Sequence, residues 1–266
     1  MSRPLVHALM KGILVKTLLR CSALFLVVFA LARPAAAATT RVEVRALVVS
    51  GTHTESGSSS TVALQPAPEI RITTSEKRWA IFAEAASSLG PTPVTSTNVF
   101  NEGPTSVDLS YLNGAIRYRI NPIITFGIGE TIYNQDSIYP STSPFGERYA
   151  QASRVVGVRY ELRSEIYSTV HSHWHADLAV NPHLSANLVQ YEPTNDADGD
   201  EGILLSAPES GAQVDASISN RVDNRRYALT YGVRYVNLSM FFPDHQLADR
   251  EAFVIPFIGI ARTFGH

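Results

Sequence analysis

The sequence predicts an all-β protein: a single antiparallel up-and-down β-barrel of about ten strands behind an export segment. Three observations predict it. Residues 226–238, RYALTYGVRYVNL, sort by parity, with Tyr227, Leu229, Tyr231, Val233 and Tyr235 on one face and Ala228, Thr230, Gly232, Arg234 and Val236 on the other, the period of two that a strand imposes. Comparable segments recur along the chain, separated in alternation by short turns and long polar loops. The composition, 45% hydrophobic and only 17% charged over 266 residues, suits one large all-β domain or two ordinary domains and excludes disorder. No 20 to 50 residue repeat is present, which argues against solenoids and propellers.

The first stretch is read as a signal peptide, residues 1–38, leaving 39–266 as one barrel domain. Arg3, Lys11, Lys16 and Arg20 precede an apolar run over residues 21–32, and the small-residue run 35–38 offers an A-x-A-like cleavage site. The apolar run falls short of the roughly 20 residues a spanning helix needs. Removing 1–38 takes away five cations and no anion, so 22 basic residues fall to 17 against 24 acidic, a net charge of −7. Nucleic acid is thereby an unfavourable partner. The one cysteine, Cys21, leaves with the signal, so a disulfide-stapled fold is excluded.

The strands follow in order. Residues 41–49 alternate Val42, Val44, Ala46 and Val48 against Arg41, Glu43 and Arg45, before the polar loop 51–60. Residues 61–73 alternate too, but Pro66 and Pro68 make this an edge-like strand. Residues 75–89 read equally as a helix capped by Ser75 or as a strand after a TSEK turn. The count is about ten strands, or eight if 75–89 is helical and its neighbour irregular. After the loop 90–105, residues 106–120 alternate with a parity change at Asn113-Gly114 that suggests a bulge. Ile124, Phe126, Ile128 and Ile132 follow the Asn121-Pro122 turn, and a loop covers 134–152. Val156, Val158, Tyr160 and Leu162 then oppose Arg159, Glu161 and Arg163; Trp174, Ala176, Leu178 and Val180 oppose His171, His173, His175 and Asp177. An acidic loop at 194–202, a strand around Val214 to Ile218, the opening segment, a loop at 243–251 and a terminal strand 253–264 complete the chain.

An export signal, no mature cysteine, strands of about ten residues and aromatics on the apolar parity resemble the small outer-membrane β-barrels of Gram-negative bacteria. The resemblance is one of texture across the mature chain, and it implies a transmembrane barrel in the outer membrane. Lipid, lipopolysaccharide and the barrel-assembly machinery would be its partners. The oligomeric state is left open. In lipid every backbone polar group must be paired, so the sheet must close, with its apolar parity outward and its polar parity inward. Tyr111, Tyr118, Tyr133, Tyr160, Tyr191, Tyr227 and Tyr235 fall near strand ends, where interfacial girdles sit. The chain departs from the pattern at its end, where Gly265 and His266 follow Phe264.

On this reading Arg117, Arg119, Glu130, Arg159, Glu161, Asp215 and Arg234 are lumen charges. A barrel of eight to ten strands is just wide enough for side chains, so such charges pair and plug it.

Two clusters suggest chemistry. His171, His173 and His175 lie on one side of a strand, a candidate metal site or general base beside Ser168, Ser172 or Glu165. Asp196, Asp198 and Asp200 resemble the start of a calcium loop, but Glu201 occupies the turn-glycine position and Ala207 that of the closing glutamate. No cofactor is implied beyond room for a divalent cation. No serine-hydrolase elbow, zincin motif, phosphate loop or dinucleotide fingerprint appears. The expected role is an integral barrel serving structure, surface contact or small-solute passage. The alternatives are an outer-membrane lipid- or peptide-modifying hydrolase using the histidine strand, and a soluble periplasmic ligand-binding barrel.

Overall fold

The computed structural model describes residues 38–55, 58–89, 92–96, 106–138, 150–192, 202–224, 227–242 and 247–265. The strands are β1 (Thr39–Glu55), β2 (Ser58–Glu76), β3 (Trp79–Ser87), β4 (Thr92–Ser96), β5 (Ser106–Arg119) and β6 (Ile124–Ile138). They continue as β7 (Ala150–Ser168), β8 (Ser172–Glu192), β9 (Gly202–Asp223), β10 (Ala228–Phe242) and β11 (Leu247–Phe264). Each pairs antiparallel with its neighbours, and β1 pairs with both β2 and β11, which closes the sheet. The short β4 pairs with β2 and β5 and takes the place of β3 further along the wall. The barrel therefore has ten strand positions.

Residues 75–89 are strand, not helix: β2 ends at Glu76, Lys77 turns with a φ of 55°, and β3 follows. Phe82, Glu84 and Ala86 point inward, with Trp79 and Leu89 exposed. A helix would have put Phe82 and Ala83 on one face. The edge-like reading of residues 61–73 has a local basis. β3 meets β2 only from Glu69 onward and β4 only up to Val62, so among the described residues Pro66 and Pro68 lie where β2 has β1 as its one strand partner, with the Leu89 N–H donating to the Pro66 carbonyl at 3.2 Å on the other side. A missing N–H costs no ladder bond there.

Other expectations need correction. β5 keeps one parity throughout, with Leu109, Asn113, Ala115 and Arg117 all buried, so there is no bulge at Asn113-Gly114. Register shifts instead occur at Val49/Gly51, Gly157/Tyr160, Glu165/Tyr167, Asn181/Leu184 and Gln190/Tyr191. Polar segments assigned to loops are partly strand: residues 51–55 pair with 58–62, and 134–138 pair with 150–154. Ladder hydrogen bonds carry these strands on after the apolar pattern has ended.

The exterior is an apolar band. Val44, Ile70, Ile116, Ile128, Leu162, Leu178, Val233 and Ile258 are exposed on it, and an outward apolar face on a closed sheet is what a bilayer requires. Aromatics gather at the rim that carries the short turns. The rings of Trp79 and Tyr118 lie 4.7 Å apart, and Trp174 meets Tyr231 edge-on at 6.2 Å. Arg262 stacks over Tyr227 and Phe264, a cation held at interface level by its apolar stem. Tyr111 and Tyr133 do not belong to this girdle; both point into the lumen. The side chain of Tyr191 lies outside the described residues. Glu130, expected inside, shares the parity of Phe126 and Ile128 and is exposed on the exterior, because β6 carries its interior positions at Gly127, Thr131 and Gln135.

Candidate functional site

The interior is layered, as β1 and β10 show. β1 passes from Arg41, Glu43 and Arg45 to Leu47 and Val49; β10 passes from Thr230 and Arg234 to Val236, Leu238 and Met240. The arginines and most of the buried carboxylates therefore occupy the half nearer the short turns. Apolar side chains occupy the half nearer the outer connections.

In the charged layer, ten side chains form one chain of alternating sign. Arg117 Nε donates to Glu161 at 2.7 Å, and Arg159 joins Glu161 at 2.7 Å to Asp215 at 2.9 Å. Arg234 Nε donates to Asp215 at 2.9 Å, and its Nη1 lies 3.2 Å from Glu84. Arg71 continues from Glu84 (2.9 Å) to Glu69 (3.6 Å), and Arg45 from Glu69 (3.3 Å) to Glu43. Five arginines thus meet five carboxylates, so the layer is neutral by count. Neutral donors satisfy remaining oxygens: Asn113 reaches Glu84 at 2.7 Å, Thr230 reaches Glu43, and Tyr111 accepts from Arg234 and donates to Glu69. Buried carboxylates are tolerable only when paired and hydrogen-bonded in this way.

Packing closes the remaining space. The guanidinium of Arg117 lies 3.6 Å from the centroid of Phe82, with Arg71 also over that ring, and Arg45 stacks on Phe257 at 4.1 Å. Two glycines make room for arginines: a Cβ at Gly127 would press on Arg117 and Glu161, and one at Gly259 on Arg45.

Beyond lies the apolar layer. Leu47, Val49, Phe253, Ile255 and Phe257 form one cluster, and Val155, Leu184, Leu238 and Met240 form another, with Tyr133 against both. Above them His53 Nδ1 lies 3.2 Å from Glu251, whose other oxygen accepts from Tyr133 at 3.0 Å. Cavities of about 30 and 40 Å³ lie within these layers, each room for a water or so.

The expected lumen charges Arg117, Arg159, Glu161, Asp215 and Arg234 all sit in the alternating chain. Arg119 sits below it, on the wall of a vestibule at the turn rim. Parity alone did not single out Glu43, Glu69, Glu84, Tyr111 and Asn113 as its partners. An inward apolar layer went unread as well, although the unbroken run of Phe253, Val254, Ile255 and Phe257 signals a strand covered on both faces.

The three histidines part company. His171 is exposed in the β7–β8 turn. His173 is held between Ser168 Oγ at 2.8 Å on Nδ1 and Asp223 at 3.2 Å on Nε2, with Glu165 at 3.7 Å. His175 is buried, and neither ring nitrogen has a hydrogen-bond partner among the described residues. The described residues contain no group of three or more His, Cys, Asp or Glu that could hold a metal ion. Asp196, Asp198 and Asp200 lie outside the described residues.

No protein-family model and no curated protein matches the sequence. Among solved structures, the outer-membrane protease OmpT from Escherichia coli superposes with a TM-score of 0.60 at 10% identity, over 85% of this chain and 97% of that one. The translocator domain of the autotransporter NalP from Neisseria meningitidis gives 0.46 at 10% identity, covering 96% and 98%. The toluene transporter TodX from Pseudomonas putida gives 0.36 at 11%, covering 84% and 89%. The OmpT likeness is one of fold, and the other two are looser. With its closed sheet and apolar exterior, the chain has the fold of an outer-membrane β-barrel.

Proposed function

We propose that the protein is a non-conducting barrel, a sealed scaffold that holds its outer connections at the cell surface and lends structure to the envelope. The supporting observation is the alternating chain of five arginines and five carboxylates laid across the lumen. An apolar layer backs it. A water-filled pore needs an open polar path, and a barrel of ten strands has little width to spare once its interior is packed. Removing one partner of a buried ion pair is strongly unfavourable, so the chain does not swing aside to let a solute pass. Planar-bilayer recordings of the refolded protein are the test. The expected trace stays at baseline in concentrated KCl; sustained unitary steps that scale with protein concentration would refute the scaffold reading in favour of a small-solute pore.

A further inference from the structure

The turn rim opens into a cavity of about 400 Å³, within the range of small-ligand pockets. Nine arginine and lysine side chains line it; Arg45, Arg71 and Arg117 belong with Glu43 to the charged layer above, which leaves six cations against the carboxylate of Glu165. The layer above has equal numbers of each sign, so the positive surplus belongs to this vestibule. Arg41, Arg163 and Arg221 have neighbouring carboxylates in Glu43, Asp177 and Asp223, at 3.4, 3.5 and 2.9 Å. Lys77 and Arg119 have no ion-pair partner among the described residues.

A second observation points to a ligand. His175 lines this cavity and is only 8% exposed, yet neither ring nitrogen is hydrogen-bonded among the described residues. A buried polar group left unpaired is unfavourable, and an oxygen acceptor in the cavity would satisfy the ring N–H. A concentration of cations inside low-dielectric walls focuses the field on an anion.

We propose that the vestibule binds a small, multiply charged phosphate compound from the periplasm. Arg41, Arg119 and Arg163 supply charge, and His175 supplies a neutral donor at the inner end. Guanidinium forks match phosphate oxygens two at a time and keep their charge at any physiological pH. Enclosure by the barrel wall selects a soluble compound over a lipid headgroup. The binding stands apart from the scaffold reading, since the cavity lies on the short-turn side of the charged layer and needs no passage through it.

The test uses the refolded protein in detergent micelles, with ¹⁵N-labelled histidine and inorganic pyrophosphate as the probe. Ionic strength is held constant with KCl. The His175 signal is assigned by its absence from the H175Q variant. Pyrophosphate is expected to move this signal saturably while KCl alone does not, and Arg119→Gln should weaken the binding about tenfold, the loss of one charge-assisted contact. Heat-modifiable gel migration confirms that the variant is folded; its exposed position at the end of β5 makes this the expected result. A shift that never saturates, one reproduced by KCl, or one unchanged in Arg119→Gln would overturn the proposal.

Discussion

Arg234→Met is expected to destabilise the barrel by roughly 3–5 kcal/mol, the range for removing one member of a buried ionic network. Arg234 touches three groups at once: Asp215 through two nitrogens, Glu84 at 3.2 Å, and the Tyr111 hydroxyl at 2.9 Å. Methionine fills much of the space and restores none of the charge. Asp215 and Glu84, 5% and 2% exposed, would then lose their shared cation while buried. Two controls separate network loss from simple packing loss. Arg234→Lys keeps the charge but not the planar fork, and it should recover only part of the stability. Arg234→Met combined with Asp215→Leu removes both signs and should be less destabilised than Arg234→Met alone, because apolar replacement of a whole buried pair is close to neutral. Urea unfolding in micelles, followed by tryptophan fluorescence, gives all three values. A loss below about 1 kcal/mol for Arg234→Met would mean that water reaches the layer and solvates it, as it does surface ion pairs.

Val233→Arg is expected to cost about 2–4 kcal/mol, the range for a cation on the lipid face near the bilayer midplane. Val233 points outward, 44% exposed, five residues into β10 from the turn rim. At about 3.3 Å per residue and a tilt near 40°, this lies roughly 13 Å above the rim, about halfway through the apolar band. Ser239 shares the exterior parity six residues further on. Ser239→Arg should therefore cost about 0–1 kcal/mol, the value near an interface. The contrast between the two positions carries the prediction. In a soluble barrel either arginine would project into water, and neither would cost more than a few tenths of a kcal/mol.

The exterior was the legible part of this chain. Lipid demands an apolar residue at nearly every second position, so Val44 and Val48, or Leu229, Tyr231 and Val233, announce their face by repetition. The interior makes no such periodic demand beyond local pairing. Charges on the inward parity could be recognised as a set, but their pairing could not, because Arg45 meets Glu69 only through the β1–β2 register and Arg159 meets Asp215 only across the intervening β8. The apolar lumen half stayed hidden for a related reason. Leu47 follows Arg45 on the same parity, and only depth in the barrel separates a charged neighbour from an apolar one. Glu130 shows the limit from the other side: its charge suggested an interior place, whereas its parity with Phe126 and Ile128 put it outside. Tyr133 was similarly misplaced by residue type and correctly placed by parity, whereas Tyr111 followed the parity change expected at Asn113-Gly114, which β5 does not make. The vestibule was beyond reach altogether, since Arg41, Arg163 and Arg221 come from three strands that only the closed barrel brings together.

The measurement that bears most directly on the account is the accessibility of single nitroxide labels in protein reconstituted into liposomes. Cys21 is the chain's one cysteine, so residues 39–266 offer no competing thiol to labels at Val233, Ile258 and Thr73. Val233 and Ile258 lie on the exterior, and Thr73 lines the vestibule. The account predicts that the labels at Val233 and Ile258 are relaxed by oxygen dissolved in lipid and shielded from a water-soluble nickel chelate, while the label at Thr73 shows the reverse. Nickel accessibility at Val233 and Ile258 equal to that at Thr73 would contradict a lipid-facing exterior, and the membrane barrel with it.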